Sequence, residues 1–403
     1  MAKKTTTSLS SDKRKLIEST FKKLNKKFGE GTVAFATEKD LSVKKLKTPS
    51  VAFNNMLYGG VCKMVEFAGE NSTGKTSMAI DIIKKCQDED PDFVAGWFET
   101  EDSLFDKVLE AKGIDMNRLV YWDQSSLSAE EGFEVLRGML ESGVLNLFVC
   151  NSIAGLCPQK EAEDDLKAAQ MALTARLLSK LMRVITGAAS KTKCVCIFIN
   201  QTRENLGSYC GGKTTTGGNA LRFYCSQRVF FYTQKLDSSD PYTEEEGKKI
   251  KCMAKKNRFN EGKNPYLSCT YYVSYEKNAI DNLATLPIDL LNSGILYQKN
   301  PHASIQLLTG NVLPNGEYEV YEYNGVKYQW RSKKALAEAL MQSPELAQYF
   351  MDLLDNKVAN ENFKKSDVVE MSAEEVELAK QEDDEINSAV SDEVKNEIAQ
   401  TNS

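Results

Sequence analysis

The chain has 403 residues, 41% of them hydrophobic and 27% charged, which is enough for one large domain with appendages or for two to three domains. No run approaches the roughly 18 apolar residues of a membrane span, and residues 1–15 lack the apolar stretch of a secretory signal. Ten cysteines without a CxxC pair, and a single histidine, argue against a zinc site and nucleophile–histidine catalysis and favour a reducing, cytoplasmic location.

The net charge of −6 is unevenly distributed along the chain. Residues 367–403 carry twelve Asp and Glu and two Lys, a net charge of −10, so the rest of the chain carries about +4. An acidic tail behind a basic body is common in nucleic-acid-binding proteins, and a tail that only improves solubility is an equally open alternative. We expect residues 357–403 to form a disordered acidic tail.

The first predicted element is a helix over residues 11–28. Ile17, Phe21, Leu24 and Phe28 form one apolar stripe, and Gly29 supplies a C-cap. A lone helix of this length is marginal in water, so the stripe should pack either on its own chain or on a neighbouring one. The sequence leaves both possibilities open, and we assign residues 1–36 to an N-terminal segment.

From about residue 60 to 275, short apolar runs alternate with amphipathic helical patterns. The runs are "CKMVEFAG", "DFVAGWFET", "NLFVCNS", "CVCIFINQ" and "RVFFYTQK", and the helices include "TSMAIDIIKKCQ" and "MALTARLLSKLMRVITGAA". This alternation predicts an α/β fold, with a mostly parallel central sheet covered on both faces. We expect a core over 37–275 and a small α+β C-terminal domain over 276–356.

The stretch "CKMVEFAGENSTGKTS" reads as a strand, a glycine-rich loop and the start of a helix, and it fits the phosphate-binding pattern GxxxxGK[ST]. Backbone N–H groups and the helix N-terminus favour phosphate, the lysine reaches the β- and γ-phosphates, and the threonine hydroxyl ligates Mg²⁺. The sequence therefore predicts ATP and Mg²⁺ as cofactors, bound by Gly69, Glu70, Asn71, Ser72, Thr73, Gly74, Lys75, Thr76 and Ser77.

Two polar residues follow the carboxyl ends of other predicted strands. Hydrolysis needs a group that orients or deprotonates water near the γ-phosphate, and Glu101 is placed for that role. Gln201 ends another strand and could respond to the γ-phosphate. With Lys75, these two residues form the predicted catalytic set.

Gln201 opens a stretch, residues 202–223, that contains little with which to build a core. From Arg203 to Asn219 its only apolar or aromatic side chains are Leu206, Tyr209 and Cys210. A loop of this length without its own structure is usually a functional loop or a linker.

Taken in order, these motifs closely resemble those of the RecA family of homologous recombinases. The resemblance covers residues 12–280, more weakly to about 355, and rests on "FGEGTV", "GENSTGKT", "LCPQKEAE", "TARLLSKLMR", "FINQTR" and "TTTGGNALRFYCS". It implies a RecA-type ATPase core that assembles with ATP into a helical filament on single-stranded DNA. It also implies strand exchange with homologous duplex DNA, in DNA repair and recombination, with no membrane partner.

The resemblance also implies how the chain contacts DNA. Residues 202–223 look like the family's second DNA-binding loop, disordered until it meets nucleic acid, and about 163–171 look like the first. On the following helix, the resemblance implies that Arg176, Ser179 and Arg183 hold DNA phosphates. The alternative is that they form only a solvated polar face opposite Leu173, Leu177 and Leu181. The implied DNA-binding residues are Met171, Arg176, Ser179, Arg183, Arg203, Tyr209, Gly217, Gly218 and Asn219.

Further roles follow from the same resemblance. It places Arg222, Lys256 and Arg258 at the γ-phosphate bound by the neighbouring protomer, and Tyr275 against the adenine. Phe105 and Val108 depart from the family's residues near the base, which leaves the nucleobase preference open.

Asn151 is the sharpest departure, because the family ends this strand with an aspartate that supports Mg²⁺. The sequence alone therefore predicts that Asn151→Asp lowers the Mg²⁺ requirement. It also leaves open a DNA-binding filament without hydrolysis, and a hexameric helicase or regulatory ATPase of the same fold.

Overall fold

The computed structural model describes residues 9–104, 106–159, 171–204, 213–300, 303–314, 318–323 and 326–359. The chain divides into two compact units, Met1–Val43 and Lys44–Ser403. The predicted acidic tail falls almost wholly outside the described residues. The helices are α1 Ser11–Phe28, α2 Val51–Met56, α3 Lys75–Glu89, α4 Asp106–Ala111, α5 Ala129–Ser142, α6 Met171–Thr192, α7 Ala220–Tyr224, α8 Asn282–Asn292, α9 Lys333–Gln342 and α10 Pro344–Ala359.

In the first unit, α1 spans the predicted residues and the chain after it folds back onto the same helix. Asn25 is hydrogen-bonded to Val33 in both directions, at 3.0 Å from its amide nitrogen and 2.8 Å to its carbonyl oxygen. The rings of Phe21 and Phe35 meet edge to face with centroids 5.1 Å apart. The apolar stripe is thus half-covered by its own unit, while Phe28 remains 59% exposed.

The second unit is built on one large sheet of ten strands. Its strands are β3 Met64–Gly69, β4 Ala95–Glu99, β5 Leu119–Asp123, β6 Leu147–Asn151, β7 Val195–Glu204, β8 Lys213–Thr215, β9 Gln227–Gln234, β10 Gly247–Asn257, β11 Ser268–Ser274 and β12 Ala279–Asp281. A separate pair, β1 Lys45–Leu46 and β2 Val61–Cys62, is antiparallel.

The central part of the sheet is parallel, as the sequence predicted. Neighbouring strands follow the order β5, β4, β6, β7, β3, β9 with parallel pairing throughout. From β9 onward, β10, β11 and β12 continue the sheet with antiparallel pairing. The carboxyl ends of β3, β4 and β6 therefore meet at one edge of the sheet, where the predicted catalytic residues lie. Contrary to the sequence prediction, Gln201 does not end its strand: it lies opposite Gly69 within β7, which continues to Glu204.

Apolar side chains on both faces of this sheet are covered by helices. On one face, Phe67 and Ile197 join a buried cluster with Ile82 and Ile83 of α3. On the opposite face, Phe148 joins a second cluster with residues of α5 and α6. The near-continuous apolar runs arise because these strands are buried on both sides, and the α/β prediction is confirmed.

The C-terminal part of the second unit has its own small core. Leu290, Leu336 and Phe350 bring α8, α9 and α10 together around it. Short strand pairs accompany the helices: β13 Ile305–Gln306 with β18 Gln329–Trp330, β14 Leu308–Val312 with β15 Tyr318–Val320, and β16 Glu322–Tyr323 with β17 Val326–Lys327. This is the mixed α+β composition that the sequence predicted.

None of the cysteines among the described residues forms a disulfide, and all but Cys157 are buried. Burial raises the pKa of the Cys62 thiol to about 12 and that of the Cys86 thiol to about 11. Within the described ranges, no helix has the length and apolarity needed to cross a membrane.

Candidate functional site

The glycine-rich loop connects β3 to α3, and its backbone takes conformations that restrict which residues fit. Gly74 has φ +91°, and a Cβ there would lie 2.7 Å from the Ile250 side chain. Ser72 has φ +60°. The helix begins at Lys75, so its first backbone N–H groups have no partner within the helix and point back toward the loop, as a phosphate-binding loop requires.

Lys75 is nine-tenths buried at the centre of this loop. Its ammonium donates hydrogen bonds to the carbonyl oxygens of Gly69 at 3.1 Å and Glu70 at 2.6 Å. Burial lowers the pKa of Lys75 to about 8, and the nearby carboxylates of Glu101 and Glu70 partly oppose that shift. The loop therefore holds a cation that phosphate oxygens would stabilise.

Thr76 and Asn151 contribute the oxygen atoms that suit a divalent cation. The Thr76 hydroxyl donates to the Asn151 carbonyl oxygen over 3.3 Å. Asn151 is fully buried at the end of β6. Hydroxyl and carbonyl oxygens, completed by phosphate oxygens and water, are the ligands that Mg²⁺ prefers, so the residues present fit the predicted metal.

Glu101 and Gln201, which are 100 positions apart in sequence, are joined in the structure. The Gln201 amide donates to a Glu101 carboxylate oxygen over 2.8 Å. The Ser152 hydroxyl donates to the same oxygen. The predicted catalytic carboxylate of Glu101 is therefore hydrogen-bonded directly to Gln201, which precedes the predicted second DNA-binding loop, residues 202–223.

A cavity of about 360 Å³ extends from the glycine-rich loop along the first turns of α3. Tyr275 lines it, 44% exposed, with the Lys248 ammonium 6.0 Å from its ring centroid. Asp81 and Lys112, paired at 2.7 Å, also line the cavity. The volume lies within the range of small-molecule sites. Tyr275 thus lies in the cavity next to the glycine-rich loop, and its contact with an adenine stays a prediction. Phe105 lies outside the described residues.

The sequence assigned three basic residues to the γ-phosphate bound by a neighbouring protomer, namely Arg222, Lys256 and Arg258. They lie away from the cavity around Lys75. The Lys256 ammonium donates to the backbone carbonyl of Arg222. The Arg258 backbone N–H donates to Ser226 over 3.0 Å. None of the three lines the cavity around Lys75.

Helix α6 presents the predicted basic residues to solvent. Arg176, Ser179 and Arg183 are exposed, although the Ser179 hydroxyl donates to the Ala175 carbonyl within the helix. The buried stripe is Leu178, Met182, Ile185 and Ala189. Leu177 and Leu181, which the sequence placed on the apolar face, are half-buried and pack against the same cluster. The Leu173 side chain lies outside the description. For Met171 the structure describes the backbone alone.

Residues 202–204, 213–215 and 220–223 have secondary structure, which the sequence did not predict. Thr202–Glu204 pair antiparallel with Lys213–Thr215, because threonines suit a paired strand. Residues 205–212, including Tyr209, lie outside the description, and Arg203 is exposed. The expectation of a loop without its own structure is therefore wrong for the two paired strands.

The two glycines after β8 bring this segment against α6. Gly217 has φ +89°, and a Cβ there would lie 2.6 Å from Leu178; Gly218 has φ +66°, and a Cβ would lie 3.0 Å from Ala175. Asn219 precedes the first residue of α7. The predicted DNA-binding glycines thus have a packing role against the helix that carries Arg176.

Sequence reasoning missed several residues of the site. Glu99 is only 1% exposed and accepts a hydrogen bond from the Asn151 amide. The cavity is also lined by Lys248, Asp81 and Lys112. The signal for Glu99 was a carboxylate two positions before Glu101 at a strand end. Lys248 lies in a strand whose many lysines gave no specific signal.

Comparison with known proteins identifies the family. The RecA N-terminal domain family matches residues 15–278. The chain belongs to the RecA family of recombinases. The chain therefore functions in DNA recombination and repair, and it binds a nucleotide.

Relatives named Protein RecA match different lengths of this RecA-family chain. That of Bacteroides thetaiotaomicron is 36% identical over 226 residues, 55% of this chain and 67% of the relative. That of Cytophaga hutchinsonii is 36% identical over 266 residues, 64% of this chain and 73% of the relative. That of Trichormus variabilis is 29% identical over 379 residues, 93% of this chain and 96% of the relative.

Proposed function

We propose that this chain is an ATP-dependent recombinase. It forms a helical filament of its own copies on single-stranded DNA in the cytoplasm, pairs that strand with homologous duplex DNA, and hydrolyses ATP when DNA is bound. The observation that carries the proposal is the 2.8 Å hydrogen bond from Gln201 to Glu101. This hydrogen bond connects the Glu101 carboxylate, beside the glycine-rich loop, to strand β7, which leads into the predicted second DNA-binding loop.

ATP would bind with its phosphates in the glycine-rich loop and its base toward Tyr275. The loop N–H groups and the Lys75 ammonium would hold the phosphates. Thr76, with Asn151 behind it, would hold Mg²⁺, which neutralises phosphate charge when bound. Tyr275 offers an exposed ring on which a base can stack.

Glu101 would act as the general base for hydrolysis. Its carboxylate would accept a proton from the attacking water, and the hydrogen bonds from Ser152 and Gln201 would keep the carboxylate aimed at the γ-phosphate. A change in the Gln201 contact when DNA binds would alter that aim. This gives a direct physical route for DNA to stimulate hydrolysis.

Residues on one surface would contact the single strand. Arg176 and Arg183 would bind phosphates from α6, and the hairpin of β7 and β8 would present Arg203 and the loop that contains Tyr209. Arg222, Lys256 and Arg258 would reach the ATP of the adjacent protomer. We assign residues 1–36 to contact between subunits, 37–275 to the ATPase core, 276–356 to the C-terminal domain and 357–403 to the acidic tail.

The proposal is tested by phosphate release with and without single-stranded DNA, together with electron microscopy with and without ATP. We expect DNA to stimulate hydrolysis and helical filaments to form with ATP. Lys75→Ala should remove both, and Lys85→Ala, on the same helix but in a surface pair with Glu89, should change neither. Rings in place of filaments, or no response to DNA, would contradict the proposal.

The neutral Asn151 favours one alternative, a filament that binds DNA and ATP without hydrolysis. Filaments with ATP, but no phosphate release at any Mg²⁺ concentration, would support that alternative.

A further inference from the structure

Glu99 is a buried carboxylate that sits directly behind Asn151. The two residues are register partners on the parallel strands β4 and β6. The Asn151 amide nitrogen lies 3.0 Å and 3.2 Å from the two Glu99 carboxylate oxygens. The Trp97 indole N–H donates to Glu99 over 2.9 Å, and the Glu101 backbone N–H donates to it over 2.9 Å.

These contacts fix the orientation of the Asn151 side chain. A carboxylate accepts hydrogen bonds, so the end of the Asn151 amide that faces Glu99 must be its NH₂ group. The carbonyl oxygen must then face the opposite way, toward Thr76, where it accepts the hydroxyl proton at 3.3 Å. If the amide were reversed, its carbonyl would face a carboxylate and its NH₂ group would face Thr76.

The orientation of Asn151 determines what the Thr76 hydroxyl can offer. When its proton is donated to Asn151, its lone pairs are free to face the phosphate loop. A reversed Asn151 would donate to Thr76, occupy a lone pair and leave the hydroxyl proton to point elsewhere. Glu99 therefore acts on Thr76 through Asn151.

We propose that Glu99 is the positioning residue of the Mg²⁺ site in this chain. Its carboxylate holds the neutral Asn151 so that Thr76 presents a free oxygen to the metal, and it retains at the end of β4 the negative charge that the end of β6 lacks. The inference rests on the proposed function, because it concerns the metal of that ATP site.

The same geometry changes the expectation for Asn151→Asp. The new oxygen would lie about 3 Å from the Glu99 carboxylate, the distance of the present amide nitrogen. Like charges this close repel strongly in a buried site. The single variant should therefore be impaired rather than improved. The exchanged pair Glu99→Gln with Asn151→Asp restores a donor facing a carboxylate, with the charge moved to β6.

The test compares the natural chain, Glu99→Gln, Asn151→Asp, the double variant and Ser103→Ala. Ser103 is the matched control, because its hydroxyl is bonded to both Glu99 and Asn151 but carries no charge. Binding of a fluorescent, slowly hydrolysed ATP analogue is measured against Mg²⁺ concentration. Thermal unfolding is measured in EDTA, which reports on the pair without metal or turnover.

We expect Glu99→Gln to raise the half-saturating Mg²⁺ concentration by about 10–100-fold, the usual effect of losing an outer-shell partner. Asn151→Asp should unfold at a lower temperature than the natural chain in EDTA, and the double variant should recover both properties. Ser103→Ala removes no charge, so it should shift the Mg²⁺ requirement much less than Glu99→Gln does.

Three results would overturn the inference. They are an unchanged Mg²⁺ requirement in Glu99→Gln, an Asn151→Asp variant as stable in EDTA as the natural chain, and a shift in Ser103→Ala as large as that in Glu99→Gln. Failure of the proposed function is distinguishable, because the natural chain itself would then show no Mg²⁺-dependent binding of the ATP analogue.

Discussion

At the scale of single residues, Lys75 links pH to nucleotide binding. Its buried ammonium has a pKa lowered from 10.5 to about 8, so the folded chain loses this proton more easily than the unfolded chain. The unfolded state therefore binds more protons between pH 8 and 10.5, and the Lys75 contribution to the free energy of unfolding rises over that window.

Bound phosphate should reverse this shift, because a negative charge favours the ammonium. We expect ATP binding at pH 8 to take up about half a proton per site, and ATP affinity to fall as the pH rises above 8. Calorimetry in two buffers of different ionisation enthalpy measures the uptake directly. Equal heats in both buffers at pH 8 would show that Lys75 is already fully charged.

Glu101→Gln separates proton transfer from nucleotide binding, since the amide keeps the size of the carboxylate but cannot accept a proton. Hydrolysis on single-stranded DNA should fall by about 10²–10⁴-fold, while ATP-dependent DNA binding persists. Glu134→Gln, on the surface of α5, serves as the matched control. Turnover within a few fold of the natural chain would remove Glu101 from the role of base.

At the scale of elements, α6 and the segment packed on it give a paired prediction on two glycines. Gly217→Ala places a Cβ at φ +89° and 2.6 Å from Leu178, so it should lower the free energy of unfolding by about 1–2 kcal/mol. Gly187→Ala lies within α6 with no atom within 4 Å of the new Cβ, and it should raise that free energy by up to about 1 kcal/mol. Urea unfolding of both variants measures these changes. If both variants changed the free energy of unfolding in the same direction, the packing of Gly217 against Leu178 would be contradicted.

The exposed arginines of α6 should act through phosphate charge. Replacing Arg176 and Arg183 together by alanine should weaken single-stranded DNA binding similarly on all sequences. The slope of log affinity against log salt should become shallower by about 1.4, which is two phosphate contacts. Lys191→Ala, in the last turn of the same helix, is the control. Loss confined to one base sequence would exclude a phosphate role.

The elements differ in how far their sequence reveals them. Strands β3, β4, β6, β7 and β9 could be predicted, because burial on both faces produces near-continuous apolar runs. Strand β10 carries five lysines between its buried residues, and β5 exposes Tyr121, so neither has that pattern. The role of Glu99 could not be predicted, because it depends on the pairing that sets it beside Asn151.

At the scale of the whole molecule, the acidic residues 367–403 should compete with DNA for basic surfaces. Deleting them removes a net charge of −10 from a chain whose remainder carries about +4. Duplex DNA should then bind more tightly and with less Mg²⁺, through a surface that includes Arg331 and Lys334; Lys333 already contacts Asp240 at 3.6 Å. Duplex affinity measured across a salt series checks this, and an unchanged affinity at every salt concentration would leave the tail a solubilising role.

The buried, unpaired cysteines supply the chain with built-in reporters of local unfolding. The thiolate is the nucleophile that attacks a thiol-labelling reagent, so a buried thiol reacts only after the surrounding structure opens. Its labelling rate therefore measures the free energy of that opening. Cys252 and Cys269 face each other across the antiparallel strands β10 and β11, whereas Cys150 and Cys196 lie in the parallel centre. If β10 and β11 open before the rest of the sheet, mass spectrometry will find Cys252 and Cys269 labelled while Cys150 and Cys196 are still protected.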